Sequence, residues 1–382
     1  MSKKVLLIVL IMLLVISSTP IEVSANKGNK NISVSGRAAI LMDQTSGRVL
    51  FSKNIHKQMR IASITKVMTA ILAIESGKMD EMVKVSDNAY GTEGSSLYLK
   101  KGEKIKLKDL VYGLMLKSGN DAAVAIAEKV GGSVQGFVHL MNKKARELGM
   151  FDSHFANPNG LDTQEDHYST AYDMAILTKY AMSNKTFRRI FKTKHYKAPN
   201  PNDKWDRSWK NKNKLLFNYD YSTGGKTGYT KRAGRTLIST ATKDDMDLVV
   251  VTLDDGNDWE DHRNLFNWGF KTYDMVTIVE KGKISGIEKQ AYKDRLYTHR
   301  SLVYPLTDKE NENLSTHLKL YKFDEASKWP EHEPIGYLNV ESGDEALTRM
   351  PLFMEQVEQD ESGGFWSLFK KLFTSSLGWI GS

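Results

Sequence analysis

The most constraining feature of this sequence is a change of hydrophobic period part-way along it. Through residues 63–182 apolar side chains recur every three or four positions, as on helix faces, whereas past Lys214 they alternate, as along strands. The spacing predicts a helix from about Ser63, where Ile64, Val67, Met68, Ile71, Leu72 and Ile74 share a face until Gly77 ends it. Residues 78–106 read as loop. Further helices are expected over 107–116, 121–130, 134–148 and 170–182, and the second of these is alanine-rich enough to pack closely. Strands are expected over 225–229, 236–242 and 246–253, with Lys243-Asp244-Asp245 as a turn, followed by a helix over 264–273. Two short strands, 38–42 and 49–51, bracket the turn residues Asp43-Gln44-Thr45-Ser46-Gly47 far upstream. A two-stranded hairpin is not stable alone, so it must join the later strands. The expected fold is therefore one α/β (α+β) domain whose antiparallel sheet is built from both sequence ends and flanked by helices. Residues 276–352 alternate without a long helix and read as a small, separate β-rich domain.

The ends have a different character. Lys3 and Lys4 precede twelve apolar residues, 5–16, and then small and polar residues ending in Val23-Ser24-Ala25. That run falls short of the roughly 20 residues that span a bilayer, and its flanks follow the secretory signal pattern. Residues 1–25 are expected to be a signal peptide, the alternative being an uncleaved anchor, and the catalytic domain is expected over 26–275. At the other end, residues 353–364 read as an acidic, then glycine-rich linker. Residues 365–382 follow as an amphipathic helix with Phe365, Trp366, Leu368, Phe369, Leu372, Phe373 and Leu377 opposite Lys370 and Lys371. Such a helix suits peripheral contact with a membrane interface, although packing on the preceding domain is the alternative.

Composition narrows the chemistry. The 382 residues carry a net charge of +8 and no cysteine, which excludes thiol catalysis, disulfides and cysteine-bound metals. The charge suits an exported protein near anionic wall or lipid, and no dense arginine patch or zinc-finger pattern points to nucleic acid. The histidines form no His-Glu-x-x-His pattern and the glycines near Gly224 lack a phosphate-loop context, so neither metal nor cofactor is expected.

Three short motifs carry the chemistry. Ser63-Ile64-Thr65-Lys66 puts a hydroxyl and an amine on one helix face, where a lysine with a lowered pKa can take the serine proton. Taken alone the motif is weak, since Ser24 to Lys27 and Ser367 to Lys370 share its spacing, and Ser63 as a helix cap with Lys66 as a solvated side chain is then the preferred reading. Ser118-Gly119-Asn120 lies between two helices and offers a proton relay and an amide, or simply a helix break. Lys226-Thr227-Gly228 opens a strand after a flexible Thr223-Gly224-Gly225; it supplies charge, a hydroxyl and room for a peptide ending in a carboxylate. Their order along the chain matches the active-site set of penicillin-binding proteins and class A β-lactamases.

Beyond these triplets the chain resembles the D-alanyl-D-alanine carboxypeptidases, the low-molecular-mass penicillin-binding type, through residues 61–69, 116–123, Asn157-Pro158-Asn159-Gly160-Leu161 and 225–230. Carboxypeptidases of Gram-positive spore formers, including the branch acting in spore cortex maturation, are the nearest resemblance, which covers about residues 33–273. It implies a penicillin-binding/β-lactamase-like transpeptidase fold. Ser63 would attack the bond between the last two D-alanines of a peptidoglycan stem peptide, with Lys66 as base and Ser118 as proton donor to the leaving D-alanine. The amides of Ser63 and Tyr229 would form the oxyanion hole, and Asn120, Lys226, Thr227 and Gly228 would bind substrate. β-Lactams would be covalent inhibitors, and the protein would work outside the cytoplasmic membrane. Glycine at 119 and the lack of a Glu-x-x-x-Asn arrangement between Ser118 and Lys226 favour a carboxypeptidase over a β-lactamase. An endopeptidase using the same chemistry would also fit these motifs. The alternative of a non-catalytic wall-binding protein predicts damage to at least one catalytic side chain, and Ser63, Lys66, Ser118, Asn120, Lys226 and Thr227 are all present. The resemblance also implies an arginine for the substrate carboxylate after the third strand, yet residues 254–262 carry acids there and Arg263 follows them.

Overall fold

A computed structural model describes residues 32–287, 292–322, 329–330 and 332–355. The expected signal peptide, the terminal amphipathic helix and most of the linker lie outside these residues. The chain divides between Asp274 and Met275 into two compact units.

In the first unit the upstream hairpin, β1 (Ala38–Asp43) and β2 (Val49–Lys53), is followed by a 3-10 turn at Ala62–Thr65, α1 (Lys66–Glu75) and the short pair β3 (Met82–Lys84) and β4 (Lys104–Lys106). Helices α2 (Leu107–Lys117), α3 (Asn120–Gly131), α4 (Val134–Glu147), α5 (Ala171–Ser183) and α6 (Lys185–Phe191) come next. A second short pair, β5 (His195–Ala198) and β6 (Arg207–Lys210), and one turn of helix, α7 (Leu215–Asn218), lead into β7 (Ser222–Thr230), β8 (Gly234–Lys243), β9 (Met246–Leu253) and α8 (Asp258–Thr272). The sheet order is β2-β1-β9-β8-β7, antiparallel throughout, with Ala38 opposite Leu253 and Asp43 opposite Leu248. The hairpin thus gains its missing partner from β9.

All six residues of β1 are buried, so both faces of the sheet are covered. Ile40, Met42, Val249 and Val251 join the core of the helical half. Leu41 and Leu248, one residue out of phase, meet Gly269 of α8, where an added Cβ would lie 2.9 Å from Leu41 and 3.0 Å from Leu248. Helix α1 is buried from Lys66 to Ile74, which is the pattern of a helix surrounded by protein. A lysine in that position is the first sign of a polar centre.

The structure differs from the sequence expectations in three places. Within the expected loop before Lys106, β3 and β4 pair from Met82–Lys106 to Lys84–Lys104. Their three-residue length gives almost no periodic signal. Helix α6 and the β5–β6 pair also go beyond the expected elements; Arg207 and the buried Glu103 hold the pair to β4 at 2.7 Å, and Trp209 is buried beneath it. Helix α8 begins at Asp258, six residues before the periodicity suggests, because Asp258, Glu260 and Asp261 favour its electropositive first turn.

The second unit holds a five-stranded sheet, β11 (Gly282–Lys283), β12 (Leu296–Thr298), β16 (Glu345–Met354), β15 (Gly336–Ser342) and β14 (Leu314–Leu320), in that order. It also holds the pair β10 (Asp274–Val279) with β13 (Leu302–Leu306). Its helix α9 (Asp308–Glu312) starts with a full capping box, Thr307 and Glu310 satisfying each other's backbone amides. A small core around Leu296, Ile335, Val340, Met350 and Leu352 closes it.

Candidate active site

The site forms where α1, the α2–α3 junction and β7 meet. Ala62 and Ser118 both adopt left-handed backbone, with φ of 46° and 67°. For residues with a Cβ this conformation is strained and persists only when the surroundings hold it. Ala62 is held by the stretch that follows α4. Gly160, at φ +83°, lies so close to the carbonyl of Ala62 that an added Cβ would sit 1.9 Å from its oxygen. Asn157 Oδ1 accepts from the amide of Gly160 at 2.7 Å, and Thr69 donates to the carbonyl of Pro158 at 2.6 Å. The Asn-Pro-Asn-Gly-Leu stretch is therefore a brace for the Ser63 turn. His167 completes it. Its Nδ1 accepts from the amide of Ala156, leaving Nε2 to donate to Thr65, which donates onward to the carbonyl of Ala62. Burial lowers the His167 pKa to about 4, so it holds this neutral tautomer at neutral pH.

Lys66 is fully buried, and its Nζ lies 2.8 Å from Ser63 Oγ, 2.6 Å from Asn120 Oδ1 and 2.7 Å from the carbonyl of Asn159. A protonated amine donates to all three. A neutral amine has only two protons, which the two carbonyl-type oxygens take, so its lone pair is left facing the Ser63 hydroxyl. Burial, reinforced by the charges of Lys226 and Lys212, holds the Lys66 pKa well below the ordinary lysine value. The neutral, proton-accepting form is thereby favoured.

Lys226 is also buried; its Nζ donates to Ser118 Oγ at 3.0 Å and to the carbonyl of Thr227 at 2.7 Å. Burial first, and then Lys212, lowers its pKa to about 7. Among the described residues no carboxylate pairs with either lysine; the closest acid in effect is Asp121, which is occupied with the amides of Leu97, Leu99 and Ala122 and with Ser96. Asn120 is pinned on its other side, Nδ2 to the carbonyl of Glu93 at 2.6 Å.

Gly228 lets β7 reach the nucleophile, since a Cβ there would lie 2.4 Å from Thr236 Oγ1 and 2.9 Å from the Ser63 amide nitrogen. Thr227 is half-buried and Tyr229 is exposed on the same strand edge. Of the residues singled out in the sequence, Ser63, Lys66, Ser118, Asn120 and Lys226 are thus joined in two hydrogen-bonded groups. Gly228 touches the first, and Thr227 and Tyr229 lie beside it on β7.

The arginine expected after β9 is not at this site: Arg263 pairs with Glu260, one helical turn away on α8, at 3.0 Å. Arg235 is better placed. It stands opposite Tyr229 on β8, and its guanidinium is fixed by both oxygens of the buried Asp258, at 2.5 and 3.2 Å. The sequence reading finds acids rather than an arginine after β9 and does not consider β8; the available signal is an arginine directly after Gly234, which is legible only once the β7–β8 register is known.

This arrangement is that of an acyl-transfer serine site, and comparison with known proteins agrees with it. A family model described as D-alanyl-D-alanine carboxypeptidase matches residues 24–257. The chain belongs to this family. It is a serine-type carboxypeptidase with the penicillin-binding transpeptidase-like fold. It is 30% identical over 381 residues to the D-alanyl-D-alanine carboxypeptidase DacF of Bacillus subtilis, covering 96% of each chain. It is 31% identical to DacD of Escherichia coli, covering 87% of this chain and 88% of the other. Among solved structures, penicillin binding protein 5 of Haemophilus influenzae superposes with a TM-score of 0.75 at 25% identity, covering 86% of this chain and 99% of that one.

Proposed function

We propose that this carboxypeptidase removes the terminal D-alanine from peptidoglycan stem pentapeptides by way of an acyl-enzyme on Ser63. The observation that carries the reading is the buried Lys66 amine, 2.8 Å from Ser63 Oγ with its other two hydrogen bonds fixed. Lys66 takes the hydroxyl proton as Oγ attacks the carbonyl of the penultimate D-alanine. The oxyanion is received by the amides of Ser63 and Tyr229, which Gly228 allows to come together. Ser118, supplied by Lys226, passes a proton to the departing D-alanine amine, and water then releases the shortened peptide. Lys226 and Thr227 bind the substrate carboxylate, and Arg235, preset by Asp258, completes that clamp. Asn120 orients Lys66 and borders the donor peptide. β-Lactams, which present a strained amide and a carboxylate to the same groups, acylate Ser63.

The domain limits proposed are 26–275 for catalysis, 276–352 for the β unit and 353–364 for the linker, with residues 1–25 as signal peptide. Export to the outer face of the cytoplasmic membrane is supported by family membership and by the charge and length of the first 25 residues. Peripheral attachment through residues 365–382 is supported by their apolar and lysine faces. A role in spore cortex maturation is proposed on the resemblance of residues 61–69, 116–123 and 225–230 to the carboxypeptidases of spore formers alone.

Free D-alanine release from a peptide ending in Lys-D-Ala-D-Ala tests the reading. The wild-type protein is expected to release it and Ser63→Ala is not. Release by neither, with folding verified by circular dichroism, would remove the carboxypeptidase assignment for this chain's site.

A further inference from the structure

The first unit carries a second built feature, at the opposite end of the central sheet. A cavity of about 470 Å³ opens between the β1–β2 turn, the ends of α5 and α6, and the β7, β8 and β9 residues Thr223, Thr242 and Asp247. Thr223 precedes Gly228 by five strand residues, so the cavity lies about 17 Å along β7 from the Ser63 contact. Five cations line it: Lys179, Lys185, Arg188, Arg189 and Lys192. Asp247 is its one carboxylate, and it already accepts from Thr242. Among the described residues, Lys185, Arg188, Arg189 and Lys192 have no ion-pair partner, and all four are exposed.

This concentration is not a by-product of overall composition. Residues 185–214 hold eleven Lys and Arg against two Asp, a net +9, where the whole chain carries +8. The remainder of the protein is therefore close to neutral, and the excess is in one segment. That segment leads from the cavity towards the catalytic cleft. Lys194 and Lys210 lie over the ring of Phe217, and Lys212 reaches Ser95 Oγ at 3.2 Å, near enough for its charge to be felt by both Lys66 and Lys226.

We propose that this cavity binds a phosphodiester-linked polyanion. Two guanidiniums offer the planar paired donors that match phosphate oxygens, and the side chains of Thr45, Thr223 and Gln44 add neutral hydrogen-bonding groups at the wall of the cavity. From Lys185 to Lys192 the cations extend about 10 Å, which is room for more than one phosphate of a repeating chain. A membrane surface fits less well, because the one large apolar residue in the lining, Met182, is buried and nothing apolar is presented for insertion. A polymer held here would keep the enzyme on the wall while leaving the Ser63 cleft open to peptide. The proposal is independent of the assignment of the catalytic residues.

The test is fluorescence-anisotropy binding of labelled poly(glycerol phosphate) to the full-length protein, beside two variants, Arg188→Glu/Arg189→Glu and Lys185→Ala/Lys192→Ala. Wild type is expected to bind, weakening about tenfold or more between about 50 and about 200 mM salt. The charge-reversed variant is expected to bind about tenfold or more weaker still, and the alanine variant to fall between, with D-alanine release from a soluble pentapeptide unchanged in both. Wild-type-like binding by both variants would overturn the proposal. So would equal binding of polyglutamate of matched charge, competition by inorganic phosphate at the same phosphate concentration, or capture by phosphatidylglycerol vesicles without binding of the polymer.

Discussion

The two ends of the central sheet both gather lysines, and they treat them in opposite ways. At the cleft end, Lys66 and Lys226 are stripped of water and given only neutral partners. At the far end, Lys185 and Lys192 remain in water with no partner among the described residues. Desolvation disfavours the charged form, so the first pair is suited to giving and taking protons, while the second pair is suited to presenting charge. The same side chain thus serves chemistry or attraction according to burial, and the strained turns at Ala62 and Ser118 lie beside the buried pair.

The sharpest way to break this contrast is to remove one lysine from each end. Lys66→Ala is expected to lower D-alanine release about a thousandfold or more, because the proton acceptor and the Asn120 and Asn159 contacts go together. Lys185→Ala, measured in the same assay, is expected to change it by less than about twofold. Next in size is Gly160→Ala. Its new Cβ would meet the Ala62 carbonyl, so a loss of about 3 kcal/mol or more in urea denaturation is expected, with slowed acylation of the remaining folded protein by penicillin.

A smaller effect follows from the Lys226 pKa of about 7. The unfolded chain keeps this proton up to the ordinary lysine value near 10.4, whereas the folded chain loses it near 7. Between those limits the unfolded state binds more protons, so the penalty of burying Lys226 shrinks as pH rises. Lys226→Met is therefore expected to raise stability at pH 7 by about 1 to 3 kcal/mol, and by less at pH 10. A gain that grew with pH would contradict the sign. Smallest of all, Arg188→Glu/Arg189→Glu is expected to leave the melting temperature within about 2 °C of wild type, since exposed unpaired charges contribute little to the fold.

Much of the cleft end was legible in the sequence because its residues are rare combinations at fixed spacing. Ser63 and Lys66 lie one helical turn apart, and β7 carries Lys226, Thr227 and Gly228 in one strand, so local geometry alone brings each motif into form. What joins the motifs is long-range, and neither Lys66–Asn120 nor Lys226–Ser118 follows from spacing. The brace of Gly160 and His167 against the Ser63 turn was equally hidden, because nothing local marks which carbonyl a glycine will approach. Arg235 escapes sequence reading for a related reason: its position beside Tyr229 depends on strand register. Helix α6 did have a local signal, Asn184 capping Thr186 and Phe187, followed by Phe187, Ile190 and Phe191 on one face. Its many cations obscured that pattern, and they are the residues that now define the far cavity.

The central claim is that burial has turned Lys66 and Lys226 into proton-transfer groups, and the most direct measurement is their titration by NMR in protein carrying 13C-ε-lysine, with Lys66→Ala and Lys226→Ala proteins to assign the signals. The expected result is a Lys226 midpoint near 7 and a Lys66 midpoint well below the ordinary lysine value. Midpoints for both near 10.4, as for a solvated lysine, would contradict the claim and leave Ser63 without its base.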